Sequence, residues 1–237
     1  RGNDTYLVDH LGDRIIEGDD IGSDTVESSV SFTLGANIEN LTLSGADGID
    51  GIGNDLDNTI TGNSGINRLV GKGGTDHLVG GIGNDTLIGG AGNNDLLEGG
   101  VGFDTYYYNT GDGIDQIEDS DANGRIFYDG HLLLGGVRQD GDPADTYQSM
   151  DGAFTYVMSG GHLIVNGVLT VNADFQSGQF GVKLVDGPDI PSYQNDWEVR
   201  EFQFSEQHLV TATMNVILRG TSSSDDIALL DGNDETY

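Results

Sequence analysis

Gly80-Gly81-Ile82-Gly83-Asn84-Asp85-Thr86-Leu87-Ile88 is one of a run of closely similar nine-residue units, and its phase decides how the chain folds. Two units precede it, Gly62 to Val70 and Gly71 to Val79. Two follow, Gly89 to Glu98 with one extra residue and Gly99 to Tyr107. The large apolar residue recurs at Ile60, Leu69, Leu78, Leu87, Leu97 and Tyr106, at gaps of 9, 9, 9, 10 and 9. A carboxylate or amide stands two residues ahead of each: Asn58, Asn67, Asp76, Asp85, Asp95 and Asp104. Repetition at a fixed period is the mark of a solenoid, because each unit buries its apolar face only against its neighbours. The last three residues of a unit suit a short strand with one side chain pointing inward. The Gly-rich six ahead of it must turn sharply, through backbone angles that a Cβ disfavours. Winding back and forth, the chain stacks every second unit on the same side, about 4.8 Å apart.

That stacking sets Asp76 beside Asp95 on one edge and Asp85 beside Asp104 on the other. Two carboxylates so placed repel unless a cation lies between them. Calcium suits the gap, since it accepts about six to eight oxygens, including the carbonyls that a Gly-rich turn directs inward. Asn67 with Asp85, and Asn58 with Asp76, make weaker candidate sites because an amide brings no charge.

The units resemble the RTX, or haemolysin-type, nonapeptide G-G-x-G-x-D-x-U-x, a calcium-binding repeat. The resemblance implies a right-handed parallel β-roll and several calcium ions. It also implies that carbonyls of the first and third residues of one unit join those of the second and fourth of its partner. For Asp76 and Asp95 these are Gly71, Gly73, Gly90 and Gly92. For Asp85 and Asp104 they are Gly80, Ile82, Gly100 and Gly102, with Gly81 and Gly83 in the same candidate set. It further implies type I secretion from a Gram-negative bacterium, with calcium and the export machinery as partners and an extracellular location.

Composition is consistent with this. Nine Lys and Arg stand against 40 Asp and Glu, a formal net charge of −31. Such a surface disfavours nucleic acid, which needs basic contacts, and docking on anionic lipid. There is no Cys, so neither disulfides nor a Cys zinc site holds the fold. The 39 Gly exceed the usual share of about 7% and argue against long helices. No run of about 18 apolar residues would insert in a membrane.

Outside the repeats, the expected organisation has four parts. Residues 1–52 read as connector repeats with longer strands, in which Val30-Ser31-Phe32-Thr33-Leu34 alternates like a half-buried strand. Asp4, Asp13, Asp19 and Asp24 are candidate ligands there. Residues 53–118 form the roll. Residues 119–219 read as an antiparallel β domain capping its open end, with Asn166-Gly167 as a two-residue hairpin turn. Residues 220–237 start a further repeat block, with Asp225 and Asp234 as candidate ligands. Gly2-Asn3-Asp4-Thr5-Tyr6 echoes Gly102-Phe103-Asp104-Thr105-Tyr106, so the chain is expected to be a piece of a longer repeat-bearing protein.

No nucleophile elbow, zinc-protease helix or Walker loop is present, and the expectation is a non-catalytic module. Two alternatives stay open. One is adhesion to a glycan or other surface ligand through Tyr147, Tyr156, Tyr193 and Trp197, residues that a β core also uses. The other is calcium-triggered self-processing at Asp142-Pro143, where the Asp carboxylate would attack its own peptide carbonyl; a plain Pro-containing loop is the simpler reading.

Overall fold

The computed structural model describes residues 2–18, 22–139 and 141–186, together with the backbone of two strands, Trp197–Gln203 and Asn215–Gly220. It divides into two units, residues 1–186 and residues 187–237. The first is all β apart from one short 3-10 turn, Gln179–Gly181.

Its strands in chain order are β1 (Thr5–Val8), β2 (Thr25–Ser28), β3 (Phe32–Thr33), β4 (Asn40–Leu43), β5 (Gly51–Ile52), β6 (Thr59–Thr61) and β7 (Arg68–Gly73). Then come β8 (His77–Ile82), β9 (Thr86–Ala91), β10 (Leu96–Val101), β11 (Asp104–Tyr108), β12 (Asp115–Glu118), β13 (Gly124–Tyr128) and β14 (His131–Leu132). The last six are β15 (Gly135–Arg138), β16 (Thr146–Gln148), β17 (Thr155–Ser159), β18 (His162–Val165), β19 (Leu169–Val171) and β20 (Lys183–Asp186).

From β4 onward the chain alternates between two parallel sheets. One stacks β2, β4, β6, β8, β10 and β12; the other stacks β3, β5, β7, β9, β11 and β13. This is a parallel β-solenoid, in which each nonapeptide crosses from one sheet to the other. Register follows the sequence phase. Leu41, Ile60, Leu78, Leu97 and Ile117 are successive partners in the first sheet. Leu69, Leu87, Tyr106 and Ile126 are successive partners in the second. All nine lie at 3% exposure or less, so the in-phase apolar set is the core. The extra residue of the 89–98 unit is absorbed in its turn, where Asn94 takes φ 67, and Leu97 still pairs with Leu78.

The roll extends beyond the expected 53–118. Residues 22–52 belong to the same stack, with β2 pairing β4 and β3 pairing β5. At the other end β13 adds one more parallel strand to β11, so residues 124–128 are coil rather than cap. The cap is antiparallel, as expected. β16, β17, β18 and β19 pair in order, and β19 docks in parallel on β12. Asn166 (φ 50) and Gly167 (φ 74) make the turn between β18 and β19, where two left-handed residues match strand twist. The cap also buries Phe180, whose ring meets Tyr106 edge-on at 5.9 Å.

The expected 119–219 domain spans the boundary of the two units, which falls after Asp186. In the second unit, the strands Trp197–Gln203 and Asn215–Gly220 pair antiparallel with a register shift between Val199 and Phe202. Asp225 and Asp234 lie outside the described residues, as does Asp19. No helix among the described residues is long and apolar enough to cross a membrane.

Candidate metal centre

Parallel stacking sets the aspartates in two vertical ladders. On one edge the Asn58 N–H donates to Asp76 Oδ1 at 2.8 Å, the Asp76 N–H to Asp95 Oδ1 at 2.8 Å, and the Asp95 N–H to Asp115 Oδ1 at 3.0 Å. On the other the Asn67 N–H donates to Asp85 Oδ1 at 2.8 Å and the Asp85 N–H to Asp104 Oδ1 at 2.7 Å. One carboxylate oxygen thus always binds the backbone of the coil before it. The second oxygen turns into the carboxylate's own loop. There Oδ2 of Asp76, Asp85, Asp95 and Asp104 is buried and accepts no hydrogen bond. A buried anionic oxygen without a partner costs several kcal/mol, so these loops are built for a positive charge.

The surroundings of Oδ2 fit that demand. A Cβ placed on Gly80 would lie 2.6 Å from Asp85 Oδ2 and 2.6 Å from the Gly99 carbonyl oxygen. The same cradle recurs at Gly71, against Asp76 Oδ2 and the Gly89 carbonyl. Carboxylate and carbonyl oxygens form a hard donor set, which suits calcium rather than zinc or copper. Burial pushes Asp76, Asp104 and Asp115 up to about 7 and raises Asp85 and Asp95 too, against the opposing effect of the backbone N–H each accepts.

The carbonyl assignment needs correction. Between coils 80–88 and 99–107 the oxygens that face the gap are Gly81 and Gly83 from the earlier coil, lying against Gly100 and Gly102. From the later coil they are Gly99, lying against Gly80, and Val101, which accepts the Gly83 N–H at 2.9 Å. Gly80 turns its carbonyl toward Gly62, one coil lower. Gly100 and Gly102 face the coil above, where they accept Ser120 Oγ at 2.7 Å and Asn123 Nδ2 at 3.0 Å. The other edge follows the same rule. Lys72 and Gly74 lie against Gly90 and Gly92, Gly71 faces Gly53, and Gly92 faces Gly113. The third-residue carbonyl of that later coil, Ala91, lies 3.4 Å from a Cβ placed on Gly73. First and third residues therefore look down and second and fourth look up, the reverse of the expected pairing. The asparagine coils share this pattern, since the Asn63 carbonyl oxygen lies 2.9 Å from a Cβ placed on Gly81 and the Asn54 carbonyl accepts the Gly73 N–H at 3.3 Å. Gly100 holds a left-handed φ of 108°, as Gly81 does at 104°, and a Cβ there would lie 2.2 Å from the Gly81 carbonyl oxygen. Gly100→Ala is therefore expected to cost about 1–3 kcal/mol of backbone strain, read as a lower unfolding midpoint in saturating calcium.

Asn58 and Asn67 also differ from expectation. Their side chains are fully engaged: Oδ1 accepts the Asn54 or Asn63 N–H at 2.7 and 2.8 Å, and Nδ2 donates to carbonyls of the preceding coil. Each Oδ1 is neutral and already accepts an N–H, so neither brings the charge and unpartnered oxygen that the aspartates offer. Near the N-terminus, Asp4, Glu17 and Asp24 carry carboxylate oxygens within 4.8 Å of one another. Asp24 Oδ1 also accepts the Asp4 N–H at 2.7 Å. Asp13 is separate, in a surface group with Asp9 and His10. Sequence reading missed Glu17, Asp115 and Asp119. Asp115-Gln116-Ile117 has the right two-residue offset, but Ile117 follows Tyr106 by 11 residues and so falls out of phase. Asp119 accepts the Tyr106 hydroxyl at 2.7 Å and anchors the cap through Asn172.

Two residues of the aromatic set expected for a glycan, Tyr147 and Tyr156, lie among the described residues. Tyr156 is wholly buried beside Phe154, and the Tyr147 hydroxyl is 3.3 Å from Asp186. Tyr193 and the Trp197 side chain lie outside the described residues. Asp142-Pro143 sits in a turn before β16, where Asp142 Oδ2 accepts the Gln139 N–H at 2.8 Å.

Comparison with known proteins agrees with this geometry. The RTX calcium-binding nonapeptide repeat model matches four overlapping copies, residues 52–87, 61–96, 70–106 and 80–117. Residues 52–117 are RTX repeats, and the roll they form is a calcium-binding structural module. Endo-1,3-1,4-beta-glycanase ExsH of Rhizobium meliloti (strain 1021) is 43% identical over 65 residues, 27% of this chain. The match spans 14% of that protein's length.

Proposed function

We propose that the protein is a non-catalytic module of a larger secreted RTX protein, and that its roll folds when the chain meets extracellular calcium. The observation that carries this reading is the set of four buried, partnerless Oδ2 atoms on Asp76, Asp85, Asp95 and Asp104. In the folded roll these oxygens are brought together and stripped of water, while in the unfolded chain each is hydrated and far from the others. Bound calcium supplies the charge that offsets this repulsion, so ligand binding becomes folding free energy. At low calcium a chain of net charge −31 stays expanded, which suits threading through a narrow export channel. RTX proteins are typically secreted, which supports a type I route and an extracellular location. Sites of the extracellular class fill at about 10⁻⁴–10⁻³ M calcium.

Calorimetric titration tests this directly. The wild-type chain is expected to take up calcium with an affinity for magnesium at least about tenfold weaker, because magnesium holds its waters in a tight octahedron. Asp85→Ala removes one partnerless oxygen and is expected to lower calcium uptake. Glu27→Ala, on an exposed position of β2, is expected to leave it unchanged. Equal titrations for the two variants would refute the assignment.

A further inference from the structure

The RTX match runs without a break across residues 52–117, yet two of its coils carry a neutral asparagine where the others place the ladder aspartate. We infer that coils 53–61 and 62–70 are closed by side-chain amides in place of a metal ion, and that they keep residues 35–70 folded without calcium. This rests on the calcium-driven folding proposed above for the coils that follow.

Both coils share the pattern Gly-Asn-x-x-x-Asn, with Asn54 and Asn58 in the first and Asn63 and Asn67 in the second. The first Asn of each bridges downward. Asn54 Nδ2 donates to the Gly35 and Ile38 carbonyls, both at 2.7 Å. Asn63 Nδ2 donates to the Ser44 and Asp47 carbonyls at 3.1 and 3.0 Å. One amide nitrogen thus gathers two carbonyl oxygens of the preceding coil. The Oδ1 of the same side chain closes its own loop on the Leu56 N–H and the Gly65 N–H, both at 2.8 Å.

The second Asn replaces the carboxylate. Asn58 Oδ1 accepts the Asn54 N–H, while its Nδ2 reaches the Ile38 and Glu39 carbonyls at 3.2 and 3.3 Å. Asn67 repeats this with the Asn63 N–H and the Ile49 carbonyl at 2.7 Å. The backbone follows the side chain. Lys72 and Gly81 hold left-handed φ at the second position, whereas Asn54 and Asn63 stay out of that region. In the asparagine coils the second N–H points at Oδ1; in the aspartate coils Oδ2 has no such donor. An amide is neutral and carries its own donors, so it satisfies the turn with no buried charge to balance.

Solenoid coils contact only their neighbours, so one stretch can unfold while another stays closed. Hydrogen exchange on the whole chain, followed by peptide mass spectrometry with chelator or calcium, tests the inference. In chelator, peptides over 53–70 are expected to exchange at least about tenfold more slowly than peptides over 96–107, and calcium is expected to protect the second set. Equal, rapid exchange of both sets in chelator would overturn the inference and leave calcium-driven folding standing. Equal protection of both sets in chelator would overturn calcium-driven folding itself, and the contrast with it. Asn63→Asp keeps the shape but removes the bridging donor. In chelator its 62–70 peptide is expected to exchange as fast as 96–107, and a wild-type rate there would also overturn the inference.

Discussion

Lowered from pH 8 to pH 5 in chelator, the aspartate coils that calcium otherwise folds should gain stability, not lose it. The sign comes from the ladder carboxylates. Burial holds Asp76, Asp104 and Asp115 up to about 7 in the folded roll, against about 3.9 in an unfolded chain. Between those values the folded state binds more protons than the unfolded state, so stability falls as pH rises through the window. At pH 8 Asp76, Asp104 and Asp115 are mostly charged, and without metal their repulsion opposes closure of the aspartate coils. At pH 5 the raised groups are mostly neutral and the cost is relieved. Several such groups sum to on the order of a few kcal/mol, and in a chain of this size about 1 kcal/mol moves the midpoint by about 2–4 °C. By circular dichroism in chelator, coils left open at pH 8 should therefore gain β signal at pH 5, with a melting midpoint about 10 °C higher. In saturating calcium the trend should reverse, since protons compete for the same oxygens. A metal-free midpoint that fell on acidification would contradict the burial of these carboxylates.

Leu87→Ala is expected to be the most damaging core substitution in the roll, at about 3–4 kcal/mol in calcium-loaded protein. Leu87 is fully buried between Leu69 and Tyr106 in the second sheet. The coils cannot close over the lost volume, because ladder hydrogen bonds hold adjacent strands about 4.8 Å apart. Leu134→Ala, at a position 65% exposed, should cost no more than about 0.5 kcal/mol. Denaturant unfolding compares the two, and similar losses would show that the inward phase is misassigned. Because Leu87 lies two residues from Asp85, its loss should also raise the calcium concentration needed for folding.

Much of this was readable before any coordinates. A nine-residue period with one apolar side chain per unit permits few ways to wind, and the in-phase set from Ile60 to Tyr106 became the core residue for residue. The placement of Asp85 beside Asp104 follows from the same count. Other features depended on neighbours that the period does not describe. Residues 22–52 carry no clean repeat, yet they stack because their strands β4 and β5 offer the right edge to β6 and β7. Asp115 joined its ladder from outside the nine-residue phase.

The amino-acid order alone determined that this is a two-sided parallel roll with acidic edges, since side-chain periodicity dictates which residues face inward and which coils lie adjacent. Only the tertiary structure decided which carbonyls look up or down and which turns want a cation. The carbonyl directions come from pairing with the coils above and below, and the turns differ at the second residue, left-handed at Lys72 and Gly81 but not at Asn54 and Asn63, whose N–H groups bind an asparagine Oδ1. Pairing between coils is a contact of residues about 18 positions apart, which no spacing within a single unit encodes.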